Sequence, residues 1–112
     1  MKTPPSRETV LLVDDDPVAR LLTATVLTQR GFRVVEAGSG QEALEGFAHH
    51  PDCVLLDALM PGMDGFATCQ ALRKLPGGDQ VPVLMLTGLD DEDSVARAYE
   101  TGATDFFVKS NQ

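Results

Sequence analysis

The stretch CVLLDALMPGMDG (53–65) decides the fold. Its apolar run CVLLD (53–57) is short and uninterrupted, which is typical of a strand that is buried on both faces of a sheet. A loop rich in proline and glycine, ALMPGMDG (58–65), follows at once and must turn the chain away from the end of that strand. Asp57 therefore stands where a buried strand meets a loop.

Four more stretches are predicted to be strands: VLLV (10–13), which is also an uninterrupted apolar run, FRVVEA (32–37), VPVLMLT (81–87) and DFFVK (105–109). Single helical segments separate the runs, which predicts right-handed crossovers and a parallel sheet with helices on both faces. We therefore predict an α/β domain with a doubly wound, five-stranded parallel sheet. With 112 residues the chain is one domain, too short for a barrel or a six-stranded nucleotide-binding fold.

The first helix is predicted from its ends and its apolar spacing. Asp15 or Asp16 can cap it, Pro17 suits its first turn, and Gly31 ends it. A stripe of apolar spacing is typical of the helix face that packs on a core. The residues of this stripe are Val18, Leu21, Leu22, Thr25 and Val26.

Three further helices follow the second, third and fourth strands. Ser39 and Glu42 have capping-box spacing ahead of a short helix. The next helix is predicted over about 66–73 and the last over about 91–101, with a surface turn at 76–79.

Composition limits the function. The net charge of −8 argues against direct nucleic-acid binding, because such proteins carry a basic face. Cys53 and Cys69 lie inside apolar patterns, so we interpret them as small core residues in a reducing cytoplasm. No apolar run approaches the roughly 20 residues that cross a membrane, and the polar start is unlike a signal peptide.

The predicted strand ends carry the chemistry. Asp14, Asp15 and Asp16 follow the first strand, Asp57 ends the third, Thr87 ends the fourth and Lys109 ends the fifth. In an open parallel sheet these ends share one edge, where ligands bind. Clustered carboxylates with room for water suit Mg²⁺, and a carboxylate can attack phosphorus to form an aspartyl phosphate. The edge is therefore predicted to handle a phosphoryl group.

Four stretches together resemble the receiver domain of two-component response regulators: LLVDDDP (11–17), LLDALMPGMDG (55–65), PVLMLTG (82–88) and Lys109. The resemblance implies the flavodoxin-like strand order 2-1-3-4-5 and a cytoplasmic phosphorelay protein. It also implies a histidine kinase or phosphotransfer protein as donor and an output domain or separate effector as target. A homodimer is a separate expectation, because a sheet face that carries Phe107 and lacks the family's fifth helix would favour self-association.

The resemblance also implies residue roles. Asp57 would be the phosphoacceptor, and Mg²⁺ would be held by Asp14, Asp15, Asp57 and the backbone carbonyl of Leu59, with Asp15 a direct ligand. Thr87 and Lys109 would contact the phosphoryl group, and the rotamer of Phe106 would follow Thr87. Leu59 and Leu89 would flank the path of the water that removes the phosphoryl group. Both are apolar, which predicts a long-lived mark.

Two features depart from the family. Ser110 stands where the family has a proline after a cis peptide bond. A cis bond before serine costs about 2.5–4 kcal/mol, so a trans bond or a shifted loop is expected there. No fifth helix follows the fifth strand. We therefore expect a flexible N-terminal segment (1–8) and a receiver domain (9–112) that is incomplete at its C-terminal end.

Other functions stay open at this point. The stretch TGLDDEDSVARAYETGATDF (87–106) also resembles receivers that precede GGDEF-type diguanylate cyclases. A pseudo-receiver would bind partners without phosphorylation, but such domains have usually lost part of the acid, threonine and lysine set. An Mg²⁺-dependent aspartyl-phosphate phosphatase needs a second acid two residues after its nucleophile, where this chain has Leu59. The chain itself is expected not to be an enzyme.

Overall fold

The computed structural model describes residues 7–88 and 92–108 of the chain. Five strands form one parallel sheet in the order β2-β1-β3-β4-β5. The strands are β1 (Thr9–Val13), β2 (Arg33–Ala37), β3 (Cys53–Asp57), β4 (Val83–Thr87) and β5 (Asp105–Val108). The predicted α/β class and the strand order implied by the resemblance are confirmed.

The helices alternate with the strands. They are α1 (Pro17–Gln29), α2 (Gly40–Gly46), α3 (Gly65–Arg73) and α4 (Glu92–Glu100), with a 3₁₀ turn at Phe47–His49. β4 begins two residues later than predicted, because Pro82 has no N–H to donate to a ladder, although its carbonyl accepts from Val54 at 2.9 Å. The predicted start of the last helix at 91, the end of the last strand at Lys109, and most of the N-terminal segment lie outside the described residues.

Side-chain caps place the helix starts. The carboxylate of Asp16 accepts from two N–H groups of α1, the Ser39 hydroxyl accepts from Glu42 at 3.1 Å, and the Asp64 carboxylate accepts from α3. Gly31 follows α1 at a φ of 95°, where a residue with a Cβ would be strained. These local signals explain why the predicted helix starts lie within a residue or two of the observed ones.

One face of the sheet carries most of the core. Leu11, Val54 and Val83 are adjacent in register and fully buried, as are Leu56 and Met85 one pleat further on. Helices α2, α3 and α4 contribute Ala43, Phe66, Cys69, Leu72 and Ala98 to the same cluster. Burial raises the pKa of the Cys69 thiol, which belongs to this cluster as predicted. Cys53 was also predicted to be a core residue, but it is half-buried on the opposite face of the sheet and outside the cluster, and burial raises the pKa of its thiol too.

The prediction for the packed face of α1 was wrong. Val18, Leu21, Leu22 and Val26 are each more than half exposed, whereas Ala24 is the buried residue of the helix. Helix α1 packs on β1 and β2, and its less exposed side carries Ala19, Thr23, Ala24 and Leu27. The apolar side chains of the predicted stripe are left on the outer surface.

The second face of the sheet is covered unevenly. Helix α1 lies over β1 and β2, while Leu84, Leu86 and Phe107 belong to the same face further along the sheet. The Phe107 side chain is 46% exposed there, and its neighbour Phe106 points the other way and packs against the core. The two aromatic residues of β5 therefore serve opposite faces.

Candidate functional site

Three carboxylates meet at the carboxyl edge of the sheet. Asp14 follows β1 and Asp57 ends β3, and these strands are neighbours, with Val13 opposite Leu56. One oxygen from each of Asp14, Asp15 and Asp57 lies within 4.8 Å of the others. Asp14 is buried, Asp57 half-buried and Asp15 exposed, so the cluster opens to solvent on one side. The structure thus brings together the three acids that the sequence singled out.

The three consecutive aspartates have different surroundings. Asp16 turns away from the cluster, because its carboxylate caps α1 by accepting from the Val18 N–H at 3.0 Å. The Asp16 N–H donates to the Asp14 carboxylate at 2.9 Å, which orients the buried side chain. Asp14 and Asp15 are therefore the pair from this run that is directed to the site. Of the two candidate caps, Asp15 and Asp16, it is Asp16 that caps α1.

Arg20 supports this end of β1. Its guanidinium donates to the backbone carbonyl of Asp14 at 2.7 Å and pairs with the Glu36 carboxylate at 3.2 Å. The arginine therefore joins α1, β2 and the residue that carries a site carboxylate. Sequence analysis missed Arg20, since neither its spacing nor its neighbours indicate these long-range partners.

Residues 58–64 form the loop between β3 and α3, the acceptor loop. Its start is held by Ala58, whose N–H donates to the Leu86 carbonyl and whose carbonyl accepts from the Gly65 N–H, both at 2.9 Å. The Leu59 N–H donates to the Asp57 carboxylate at 3.2 Å. A Cβ at Gly65 would collide with the backbone carbonyl of Asp57, so the loop can close this tightly only on a glycine. These contacts fix the backbone around Asp57.

The remaining predicted site residues follow β4 and β5. Thr87 is fully buried at the end of β4, one residue past the register partner of Asp57. Val108 pairs with Thr87, so the strand that leads to Lys109 runs to the same edge, but Lys109 itself lies outside the described residues, as do Leu89 and Ser110. Phe106 pairs with Met85 on the core face.

A cleft of about 360 Å³ lies beside the carboxylates, between α1 and the second face of the sheet. Asp14 and Asp57 line it together with apolar residues that include Leu55 and Leu86. A group of three carboxylates that is open to solvent on one side can bind a hard divalent cation that keeps part of its hydration shell. The donor set therefore fits Mg²⁺, and a carboxylate next to such a cation can accept a phosphoryl group.

Residues 10–112 match the family model for the response regulator receiver domain. The chain belongs to the response regulator receiver family. A probable transcriptional regulator, ycf27, of Guillardia theta is 42% identical over 105 residues, which are 93% of this chain and 40% of that protein. The receiver domain thus spans less than half the length of this curated relative.

Solved receiver structures agree with the fold. The chemotaxis protein CheY4 of Vibrio cholerae superposes with a TM-score of 0.90 at 30% identity, covering 96% of this chain and 90% of that one. CheY from Borrelia burgdorferi, in a CheX-CheY-BeF3-Mg complex, gives a TM-score of 0.83 at 29% identity, covering 94% and 80%. None of the helices in residues 7–88 and 92–108 has the length and hydropathy of a membrane-spanning segment.

Proposed function

We propose that this receiver domain is a phosphoacceptor switch in which Asp57 takes a phosphoryl group from a phosphohistidine of a histidine kinase or phosphotransfer protein. The observation that supports this most directly is the grouping of Asp14, Asp15 and Asp57 within 4.8 Å at the carboxyl edge of the sheet. The family membership supports it independently.

The reaction needs little from the protein beyond position and charge. A carboxylate oxygen of Asp57 forms a bond to phosphorus as the bond from phosphorus to the donor imidazole nitrogen breaks, and the imidazole leaves with its electron pair. Mg²⁺ would be held by Asp14, Asp15, Asp57 and the Leu59 carbonyl, and when bound it would neutralise charge on the phosphoryl oxygens. The Leu59 N–H and Ala58 contacts hold Asp57 in place during attack.

Thr87 and Lys109 are proposed to contact the phosphoryl group once it is attached. Thr87 is buried at the end of β4, next to the strand that carries Asp57. Movement of Thr87 toward the new charge would change the space behind it, and Phe106 is the aromatic residue proposed to respond. The phosphoryl group would thereby bias an equilibrium of the surface formed by α4 and β5.

The target of the switch lies beyond this domain. Relatives named as transcriptional regulators support an output that controls transcription, in the same protein or in a separate effector. The GGDEF-type output rests on the resemblance of residues 87–106 alone. In both cases the receiver acts as a regulator, and any enzymatic activity belongs to the output.

The test is uptake of phosphate from a small donor. Incubation with acetyl phosphate and Mg²⁺ should add one phosphoryl mass that hydroxylamine removes, as expected of an acyl phosphate. Asp57→Asn should abolish the uptake. Asp16→Asn is the matched control, since asparagine also caps helices, and it should leave uptake intact.

Equal uptake by Asp57→Asn and the parent would show that Asp57 is not the acceptor. No uptake by the parent would favour the pseudo-receiver, which binds without phosphorylation. Rapid turnover of the acyl phosphate would favour the phosphatase, although Leu59 occupies the place of the second acid that such an enzyme needs.

A further inference from the structure

Arg97 of α4 reaches across to the far end of the acceptor loop. Its guanidinium carbon lies 4.4 Å from the centroid of the Phe66 ring, and one guanidinium nitrogen lies 3.6 Å from a carboxylate oxygen of Asp64. Both partners sit where the acceptor loop enters α3. Arg97 of α4 thereby contacts the end of the acceptor loop, which begins directly after Asp57.

Asp64 uses its two carboxylate oxygens for different partners. Oδ1 accepts from the Ala67 N–H at 2.8 Å and caps α3, while Oδ2 faces Arg97. The next residue, Gly65, closes the loop on Ala58, directly beside Asp57. The backbone from Asp57 to Ala58, the Ala58–Gly65 hydrogen bond and the Asp64–Arg97 pair thus form a continuous series of contacts from Asp57 to α4.

The contact has the character of a reversible link. The Arg97 side chain is 57% exposed and that of Asp64 is 32% exposed, so the ion pair is screened by water and contributes little to stability. Arg73 differs from Arg97, because its guanidinium donates hydrogen bonds to the backbone carbonyls of Gly78, Val81 and Gly102. Movement of Arg73 would leave these carbonyls without their donor. Arg97 can move with α4 at small cost.

We propose that Arg97 is a positioning residue that couples the acceptor loop to α4, so that the chemical state of Asp57 sets where α4 lies. The inference rests on the proposed phosphoacceptor function. Helix α4 follows Thr87 by only a few residues, so the helix is linked to the site by the chain itself and, through Arg97, by a side chain. Removal of the side-chain link should weaken the response of α4 to phosphorylation without preventing phosphorylation.

Tyrosine fluorescence can report on the position of α4. Tyr99 is its single tyrosine, and there is no tryptophan. Tyr99 lies on α4 and donates its O–H to the Asp105 carboxylate of β5 at 3.2 Å. Because a carboxylate partner quenches tyrosine emission, movement of α4 against β5 should change the fluorescence of this one residue.

The experiment follows Tyr99 emission and intact mass together during incubation with acetyl phosphate and Mg²⁺. In the parent, emission should change in step with phosphoryl uptake. Arg97→Gln should keep the uptake and give a smaller emission change than the parent. Asp64→Asn should do the same, since asparagine retains the cap of α3 but not the charge. Arg97→Lys should restore part of the change through its ammonium group.

Arg30→Gln, which removes an exposed arginine at the end of α1, is the control and should behave as the parent. Thermal melts should show that Arg97→Gln and Asp64→Asn remain folded. A full emission change in both variants, or uptake without any emission change in the parent, would overturn the inference while leaving the phosphoacceptor proposal intact. No uptake in the parent would contradict the phosphoacceptor proposal, and the inference with it.

Discussion

Three adjacent aspartates show how much a single position matters. Asp14 is buried and oriented by the Asp16 N–H, Asp15 is exposed beside it, and Asp16 caps α1. The repulsion among Asp14, Asp15 and Asp57 is a cost that a bound cation would relieve. The same run of side chains therefore contributes two proposed ligands and one structural cap.

We expect Mg²⁺ to stabilise the fold for this reason. At about 100 times its Kd the ion should add roughly 2.7 kcal/mol to the free energy of unfolding. Asp15→Asn should remove most of that gain, whereas Asp16→Asn should retain it. Thermal melts with and without millimolar Mg²⁺ measure the effect, and a parent melting temperature that ignores Mg²⁺ would argue against the metal site.

Leu59 leads to a prediction about the lifetime of the phosphoryl group. Its N–H donates to the Asp57 carboxylate, and its side chain is 51% exposed beside the site. An apolar side chain there cannot orient a water molecule by hydrogen bonding. Leu59→Asn should therefore speed the loss of phosphate from the phosphorylated protein, as followed by intact mass after removal of acetyl phosphate. An unchanged half-life would contradict this role.

At the residue scale the sequence predicts the carboxylates of the site but not the arginines that contact the segments around them. Asp14, Asp15 and Asp57 are readable because parallel strands end at one edge. Arg20 and Arg97 are not, since each contacts residues that are distant in sequence and come close only after the helices pack. Local patterns carry no information about such pairs.

At the scale of elements, Arg73 joins α3 to the segment before β4 and to the segment between α4 and β5. Its guanidinium donates to the carbonyls of Gly78, Val81 and Gly102, which lie before β4 and after α4. One rigid fork of donors thus holds three loop carbonyls in place.

Arg73→Met should therefore destabilise the domain, because it removes the donor from these carbonyls while keeping much of the apolar stem. Each acceptor that becomes buried and unpaired costs about 1–3 kcal/mol. Lys74→Met, at the exposed neighbouring position, is the control and should change the free energy of unfolding by less than about 0.5 kcal/mol. Urea unfolding measures the free energy of unfolding of both variants. Equal stability of Arg73→Met and the parent would show that the loops keep their structure without the Arg73 hydrogen bonds.

The sequence predicts the ends of helix α1 but not the face of the helix that packs on the sheet. Its ends are set by local chemistry, the Asp16 cap and Gly31, and were predicted correctly. Its packed face was not, because α1 has apolar residues on more than one side, and the side that carries Ala24 and Leu27 is the less exposed one. Which side docks depends on the fit to β1 and β2, which hydrophobic spacing does not encode.

At the scale of the whole molecule, the two faces of the sheet differ. The face of α2, α3 and α4 carries the core cluster, while the other face has α1 over β1 and β2 and apolar residues further along. Two more clefts, of about 320 Å³ and about 290 Å³, border α1. Exposed apolar area lies on this side in both α1, at Val18 and Leu22, and β5, at Phe107.

We expect this face to drive self-association of the 112-residue chain, because contiguous apolar patches favour contact between molecules. Phe107→Ser should shift the chain toward the monomer, as light scattering over a concentration series would show. Val108→Ser is the matched control: Val108 is the next residue, 50% exposed, and pairs with Thr87 on the opposite face of the sheet. Its substitution should leave the association unchanged. A parent that stays monomeric at every concentration, or equal effects of the two substitutions, would show that this face does not mediate contact between copies.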